Sequence, residues 1–215
     1  MTPNFHSYMN IHPNSTIIVL GLGPSLLEYE KYKNREDIIT IGVNDIGRFM
    51  HPKYLFCADK PARFKDEKRR NTIQNNKSPY FISHLTDEWK FDDDKTIIKY
   101  VLGKTNLYDF EKNGYNDRVN ISNNSTYMCC IIAYYFGAKN IALLGCDFTR
   151  DHYDTKDGVH ALNNRLKEIN YDFQKLYEKL KENGCNLYNV SSNSNITALP
   201  KMPLDKFIEK FCPEN

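Results

Sequence analysis

The sequence predicts an α/β domain, a mostly parallel sheet with helices on both of its faces. Three observations predict it. Short apolar runs rich in β-branched residues alternate along the chain with longer segments of helical spacing. The first run, Thr16-Ile-Ile-Val-Leu20, is apolar at consecutive positions, as suits a buried strand in a covered parallel sheet. Several runs end at glycine or at a short polar residue, at Gly21, Asn44, Asp59 and Asp147, which lines polar groups along one edge of the expected sheet.

Taken in order, Thr16–Leu20 reads as a strand, Gly21-Leu-Gly-Pro-Ser25 breaks it, and a helix opens at Leu26–Tyr29. Ile38–Val43 reads as the second strand, ending at Asn44-Asp45, and Tyr54–Ala58 as the third, ending at Asp59. Lys60–Arg70 is charged and reads as a surface helix or loop. Tyr80–Ser83 and Thr96–Val101 are further strands. Residues 102–120 are polar, with Gly103, Gly114 and several asparagines, and read as irregular. Ser125–Phe136 carries Met128, Ile131, Ile132 and Tyr135 at helical spacing; Asn123, Asn124 or Ser125 caps it and Gly137 ends it. Asn140–Leu144 is a strand ending at Gly145-Cys-Asp147. Ala161–Glu182 reads as a long amphipathic helix with Gly184 past its end, Asn186–Val190 as a last strand and Leu204–Phe211 as a last helix.

The 215 residues suffice for one large domain or two small ones, with a real core. A net charge of +2 with 26% charged residues gives no global signal for a polyanion partner. No apolar run is long enough to span a membrane, and the start of the chain lacks the basic-then-apolar pattern of a secretion signal. The six cysteines include no C-x-x-C pair. Cys57, Cys129, Cys130 and Cys146 lie in apolar segments, which suits buried thiols in a reducing cytoplasm and leaves no zinc pattern. The abundance of Asn, Lys, Tyr, Asp and Ile fits an AT-rich bacterial or phage coding sequence.

Four segments carry candidate chemistry. A strand, a glycine turn and a helix start, as at Gly21, Gly23, Pro24 and Ser25, place N–H groups where a phosphate can sit. The third glycine of the dinucleotide pattern is replaced by Leu26, and no Walker lysine follows; the same residues also read as a tight turn without a ligand. Asn44 stands where it can bond a base, ribose or sugar, or simply cap a helix. Ser122-Asn-Asn-Ser-Thr126 opens an apolar helix and can hold a phosphate or sugar, or serve as an ordinary cap. The loop from Asp147 to His160 is rich in titratable groups, and His152 and His160 are candidate general bases. Asp92-Asp-Asp94 contains a D-x-D pattern but reads as a solvated acidic loop.

The order of these motifs resembles that of bacterial sialyltransferases of the Campylobacter lipooligosaccharide type, and in part the related 6-hydroxymethylpterin pyrophosphokinase-like group. The matching segments are Gly21-Leu-Gly-Pro-Ser-Leu26, Gly42-Val-Asn-Asp45, Asn123-Asn-Ser-Thr-Tyr-Met-Cys129 with Gly137–Phe148, Gly158-Val-His160, and the tail Leu187–Ser194. The resemblance implies one Rossmann-like domain of the GT-A type over residues 1–215, with acceptor-side insertions at 60–80 and 102–120. It implies a nucleotide-activated sugar donor as substrate, no cofactor and no metal. It implies that Gly21, Gly23, Pro24 and Ser25 approach the donor phosphate and ribose, that Asn44 contacts the nucleotide or sugar, and that Asn123, Asn124 and Ser125 hold donor groups. His160 becomes the general base. The chain departs from the family at Leu22, where Asn is usual, and at Thr149, where a Tyr that holds the leaving phosphate is usual; Tyr153 is the nearest substitute. Asn123-Asn-Ser125 replaces Thr-Ser-Gly. Asp59 and Asp147, at strand ends, complete the expected site.

The leading expectation is therefore a cytoplasmic glycosyltransferase acting on a saccharide or on hydroxymethylated bases of phage DNA. The basic segment Lys60–Arg70 is a candidate for holding an acidic acceptor. One alternative is a magnesium-dependent pyrophosphokinase acting on a pterin-like alcohol, with Asp45, Asp59 and Asp147 as metal carboxylates. Another is a nucleotide-binding module without catalysis. The sequence leaves the oligomeric state open.

Overall fold

A computed structural model describes residues 5–91, 95–103, 118–120, 122, 124–149 and 163–214. The strands are β1 (Ser15–Leu20), β2 (Ile39–Val43), β3 (Tyr54–Phe56), β4 (Tyr80–Ser83), β5 (Thr96–Lys99), β6 (Val101–Gly103), β7 (Arg118–Asn120), β8 (Ala138–Leu144) and β9 (Asn186–Asn189). The helices are α1 (Glu67–Gln74), α2 (Ser125–Tyr135), α3 (Leu166–Glu182) and α4 (Leu204–Phe211). Seven strands form one sheet in the order β5-β4-β3-β2-β1-β8-β9, and every pairing in it is parallel.

The register follows from hydrophobic pattern. Ile17 in β1 lies beside Ile39 on one side and Ile141 on the other. Ile17 to Leu20 and Ile141 to Leu144 are all fully buried, so both faces of these central strands are covered. Helix α2 packs against β1, β2 and β8, and α3 against β9. Helix α2 is apolar nearly all round, and nine of its eleven residues are buried. Helix α3 buries only the stripe Ile169, Phe173, Leu176 and Leu180, so it lies at the surface.

Four expectations are corrected. The helix after the glycine turn is a 3-10 helix over Pro24–Tyr32, starting two residues before Leu26 with Pro24 at its first position. Thr96–Val101 is not one strand. It breaks at Tyr100, which is buried and donates its N–H to Ser83 O, and β6 leaves to pair with β7 in a separate two-stranded sheet. The stretch 102–120, read as irregular, therefore holds strand at both described ends. Helix α3 begins at Leu166, after a 3-10 turn at Asn163–Arg165, rather than at Ala161. Period counting misses such changes because 3-10 turns and a one-residue sheet switch leave no hydrophobic period of their own.

Candidate functional site

From β1 the chain steps outward through β2 to β5, then returns to place β8 and β9 on the other side of β1. The junction of β1 and β8 is thus the switch point, and its carboxyl edge is where open parallel sheets hold ligands. Gly21-Leu22-Gly23 leaves one strand there and Gly145-Cys146-Asp147 leaves the other. The glycine turn and the first residues of the titratable loop, Asp147 to Thr149, far apart in sequence, meet at this place.

The two exits close on each other. Gly21 N–H donates to Leu144 O and Gly23 N–H to Gly145 O, each at 2.7 Å. A β-carbon on Gly21 would stand 2.4 Å from Gly145 O, and one on Gly23 would stand 2.3 Å from Asp147 Oδ2. Glycine is required at both positions by approach of the chain to itself. Ser25 donates its N–H to Asp147 Oδ2 at 2.8 Å and its hydroxyl to Asp147 Oδ1 at 2.5 Å. Gly145 N–H is shared between Ser25 Oγ at 3.2 Å and Ser191 Oγ at 3.0 Å. Burial pushes the Asp147 carboxyl above its ordinary range, and the Ser25 bonds pull it back. The N–H at which a phosphate is expected is therefore taken by a carboxylate of the same chain.

The exit of β9 holds this arrangement from the far side. Ser194 donates its hydroxyl to Cys146 O at 2.8 Å, while Asn195 donates its N–H to Asp147 O and its side-chain amide to Phe148 O, each at 2.9 Å. Phe148 has φ 51°, a conformation that costs a bulky residue energy and persists only where neighbours fix it. Sequence reading marked Leu187–Ser194 only as a polar exit; the signal for Ser191, Ser194 and Asn195 as clamps was their density of short polar side chains.

At the start of α2, Asn124 Oδ1 accepts from Thr126 N–H at 3.1 Å, Tyr127 N–H at 3.4 Å and the Thr126 hydroxyl at 2.7 Å. Two N–H groups of this terminus are thereby occupied. Asn124 Nδ2 is buried beside the Cys146 thiol, whose pKa it pulls down, and makes no full hydrogen bond among the described residues. Ser125, half-buried, opens the helix beside it. Asn44, in the left-handed region at φ 50°, donates its N–H to Phe56 O at 2.9 Å, and its Oδ1 is buried without a partner among the described residues. Thr149 Oγ1 is likewise buried and has no partner among the described residues. Two of the expected ligand residues, Asn44 and Asn124, and Thr149, which stands where the family's phosphate-holding Tyr is usual, thus carry a buried polar atom unsatisfied among the described residues, each at the carboxyl edge of the sheet. Such atoms are costly unless water or a ligand meets them.

Asp45, fully buried, accepts from Arg48 and, at 2.8 Å, from Arg69 Nη2. Asp59 pairs with Arg63 at 3.3 Å near the surface, and its carbonyl accepts the Trp89 indole N–H at 3.1 Å. The three strand-end carboxylates are therefore engaged separately, and no cluster of three acidic, His or Cys groups converges among the described residues. All six cysteines are unpaired, and burial raises the thiols of Cys57, Cys129, Cys130 and Cys146. No helix among the described residues is long and apolar enough to cross a membrane. His160, His152, Tyr153, Asn123 and the acidic run at 92–94 lie outside the described residues.

No protein-family model and no curated protein sequence matches the chain. Solved structures do. The MAf glycosyltransferase from Magnetospirillum magneticum superposes with a TM-score of 0.55 at 11% identity, over 92% of this chain and 37% of that one. The sialyltransferase CST-II in complex with a trisaccharide acceptor and CMP superposes at 0.51 with 20% identity, over 94% of this chain and 88% of that one. The fold is the one these glycosyltransferases share. The chain spans little more than a third of the Magnetospirillum protein but most of the sialyltransferase. The α/β architecture that the sequence predicts is thus found, and found in structures of glycosyltransferases.

Proposed function

We propose that this protein is a glycosyltransferase that moves a sugar from a nucleotide-activated donor to an acceptor hydroxyl. The observation that carries the reading is the set of buried atoms unsatisfied among the described residues, Asn44 Oδ1, Asn124 Nδ2 and Thr149 Oγ1, at the switch-point edge. Asn44 offers an acceptor for a base or ribose donor group, and Asn124 offers a donor for a phosphate or carbonyl oxygen. The likeness in fold to sialyltransferase CST-II, solved with CMP and a trisaccharide, supports the same reading.

In the proposed reaction the acceptor oxygen bonds to the anomeric carbon as the bond from that carbon to the phosphate oxygen breaks. His160 takes the hydroxyl proton, and the nucleotide leaves with the electron pair on its phosphate. The leaving group is received near the start of α2, where Asn124 Nδ2 is available, and not at Ser25, whose N–H Asp147 holds. No metal or cofactor has a part in this scheme. The acceptor is a saccharide. The basic segment that suggested DNA has Arg63, Arg69 and Arg70 directed to Asp59, Asp45 and Glu67.

The test is a transfer assay over a panel of nucleotide-sugars, with and without chelator. Turnover should survive the chelator, and His160→Ala should lower it roughly 10²–10⁴-fold while donor affinity holds. Complete loss in chelator with rescue by magnesium supports the pyrophosphokinase alternative instead. Binding without turnover on any donor supports the non-catalytic one.

A further inference from the structure

We infer that a cavity at the carboxyl end of β9 is a saccharide subsite, joined to the switch point through the Ser191 bond to Gly145. The cavity measures about 490 Å³ and lies between the 3-10 helix Pro24–Tyr32, the exit of β9 and the entry to α4. This is the size range of small-molecule sites.

The 3-10 helix supplies the link. At three residues per turn, side chains three apart fall in one line. Ser25, Glu28 and Lys31 form such a line. Ser25 holds Asp147 at the switch point, Glu28 accepts the N–H and the hydroxyl of Ser192 at 3.2 and 2.5 Å, and Lys31 pairs with Asp205 at 2.7 Å. Ser191, which lines the same cavity, shares the Gly145 N–H with Ser25. In an α-helix the same line would wind around the axis by about 60° at each step.

The lining chooses the ligand class. The floor is apolar, from Val190, Met202 and Leu204. Lys31 is neutralised by Asp205, but Glu28 and Lys201 form no ion pair among the described residues; Lys201 donates only to Ser194 O, at 3.3 Å. One carboxylate and one ammonium thus stand over an apolar floor. A ligand of one charge meets attraction at one and repulsion at the other, and an apolar ligand leaves both unanswered. A neutral sugar ring meets all three demands: hydroxyls donate to Glu28 and accept from Lys201, and the C–H face covers the floor. Calling this sugar the acceptor rests on the glycosyltransferase reading; the binding itself does not.

The experiment titrates the full chain, without donor, with lactose, and separately with N-acetylneuraminic acid and with glucose 6-phosphate as singly signed controls. Amide shifts and calorimetry are read together. Lactose should perturb Val190, Ser192 and Leu204, with weaker binding of both anions. Glu28→Gln, which keeps an acceptor for Ser192, and Lys201→Met should each weaken lactose at least tenfold while their melting curves match wild type. Absence of any lactose shift at these residues overturns the subsite, as does tighter binding of either anion, or lactose affinity unchanged in both variants. Nucleotide-sugar binding measured on the same samples tells failure of the subsite from failure of the glycosyltransferase reading.

Discussion

At the scale of single residues, the site is governed by what Asp147 touches. Its carboxylate fills the space that a side chain on Gly23 would need. Gly23→Ala should therefore cost about 1–3 kcal/mol by overpacking. In an Asp147→Gly background the same substitution should cost less, so a double-mutant cycle by urea unfolding reads the pair as coupled. Equal cost in both backgrounds would mean that the clash is relieved elsewhere. The acid itself makes a second prediction. Burial raises the folded-state pKa of Asp147 above its ordinary 3.8, so the folded chain binds this proton more tightly than the unfolded chain. The group's contribution to stability is then fully present below 3.8 and falls as pH rises through the raised value. Asp147→Asn removes that dependence. The melting temperature of wild type relative to the variant should decline from pH 3.8 upward; a rise over that window would contradict the assignment.

At the scale of elements, helix α1 separates two roles within one basic segment. Arg69 turns inward, bonds the fully buried Asp45 and lies 5.4 Å from the centre of the Phe64 ring. Lys68, one residue earlier, is exposed. Arg69→Ser should cost roughly 1–3 kcal/mol, because a buried carboxylate loses one of its two guanidinium partners. Lys68→Ser should stay within about 0.5 kcal/mol. Chemical denaturation of both variants checks this. Equal effects would mean that the Asp45 pair contributes nothing. The sequence gives the charges along Lys60–Arg70 but not which of them turn toward Asp45, Asp59 and Glu67, while Lys60, Lys65 and Lys68 stay exposed.

At the scale of the whole molecule, the parallel sheet places motifs from both ends of the chain at one edge, so ligand binding there ties β1, β8, α2 and the β9 exit together. A nucleotide-sugar at 100 times its dissociation constant should stabilise the fold by about 2.7 kcal/mol. For a domain of this size that raises the melting temperature by roughly 5–11 °C. Thermal shift across nucleotides and nucleotide-sugars measures it, and a flat response to every donor would remove the nucleotide reading.

The sequence by itself determined the α/β class, the places of most strands, the caps and stops of α2, and the polar residues that end β1, β2, β3 and β8. These are local properties: period, β-branching and turn chemistry are written in neighbouring residues. It also marked Asn44, Asn124 and Thr149, which the structure brings to the carboxyl edge with buried atoms unsatisfied among the described residues. Only the tertiary structure decided that Asp147 belongs to Ser25 rather than to a ligand, and that Asp45 belongs to Arg48 and Arg69. It alone set the strand order that makes β1 and β8 neighbours, and the 3-10 geometry that aligns Ser25, Glu28 and Lys31. The reason is physical. A hydrogen bond across 122 residues depends on which strand exits adjoin, and adjacency in a parallel sheet is settled by packing of the whole chain.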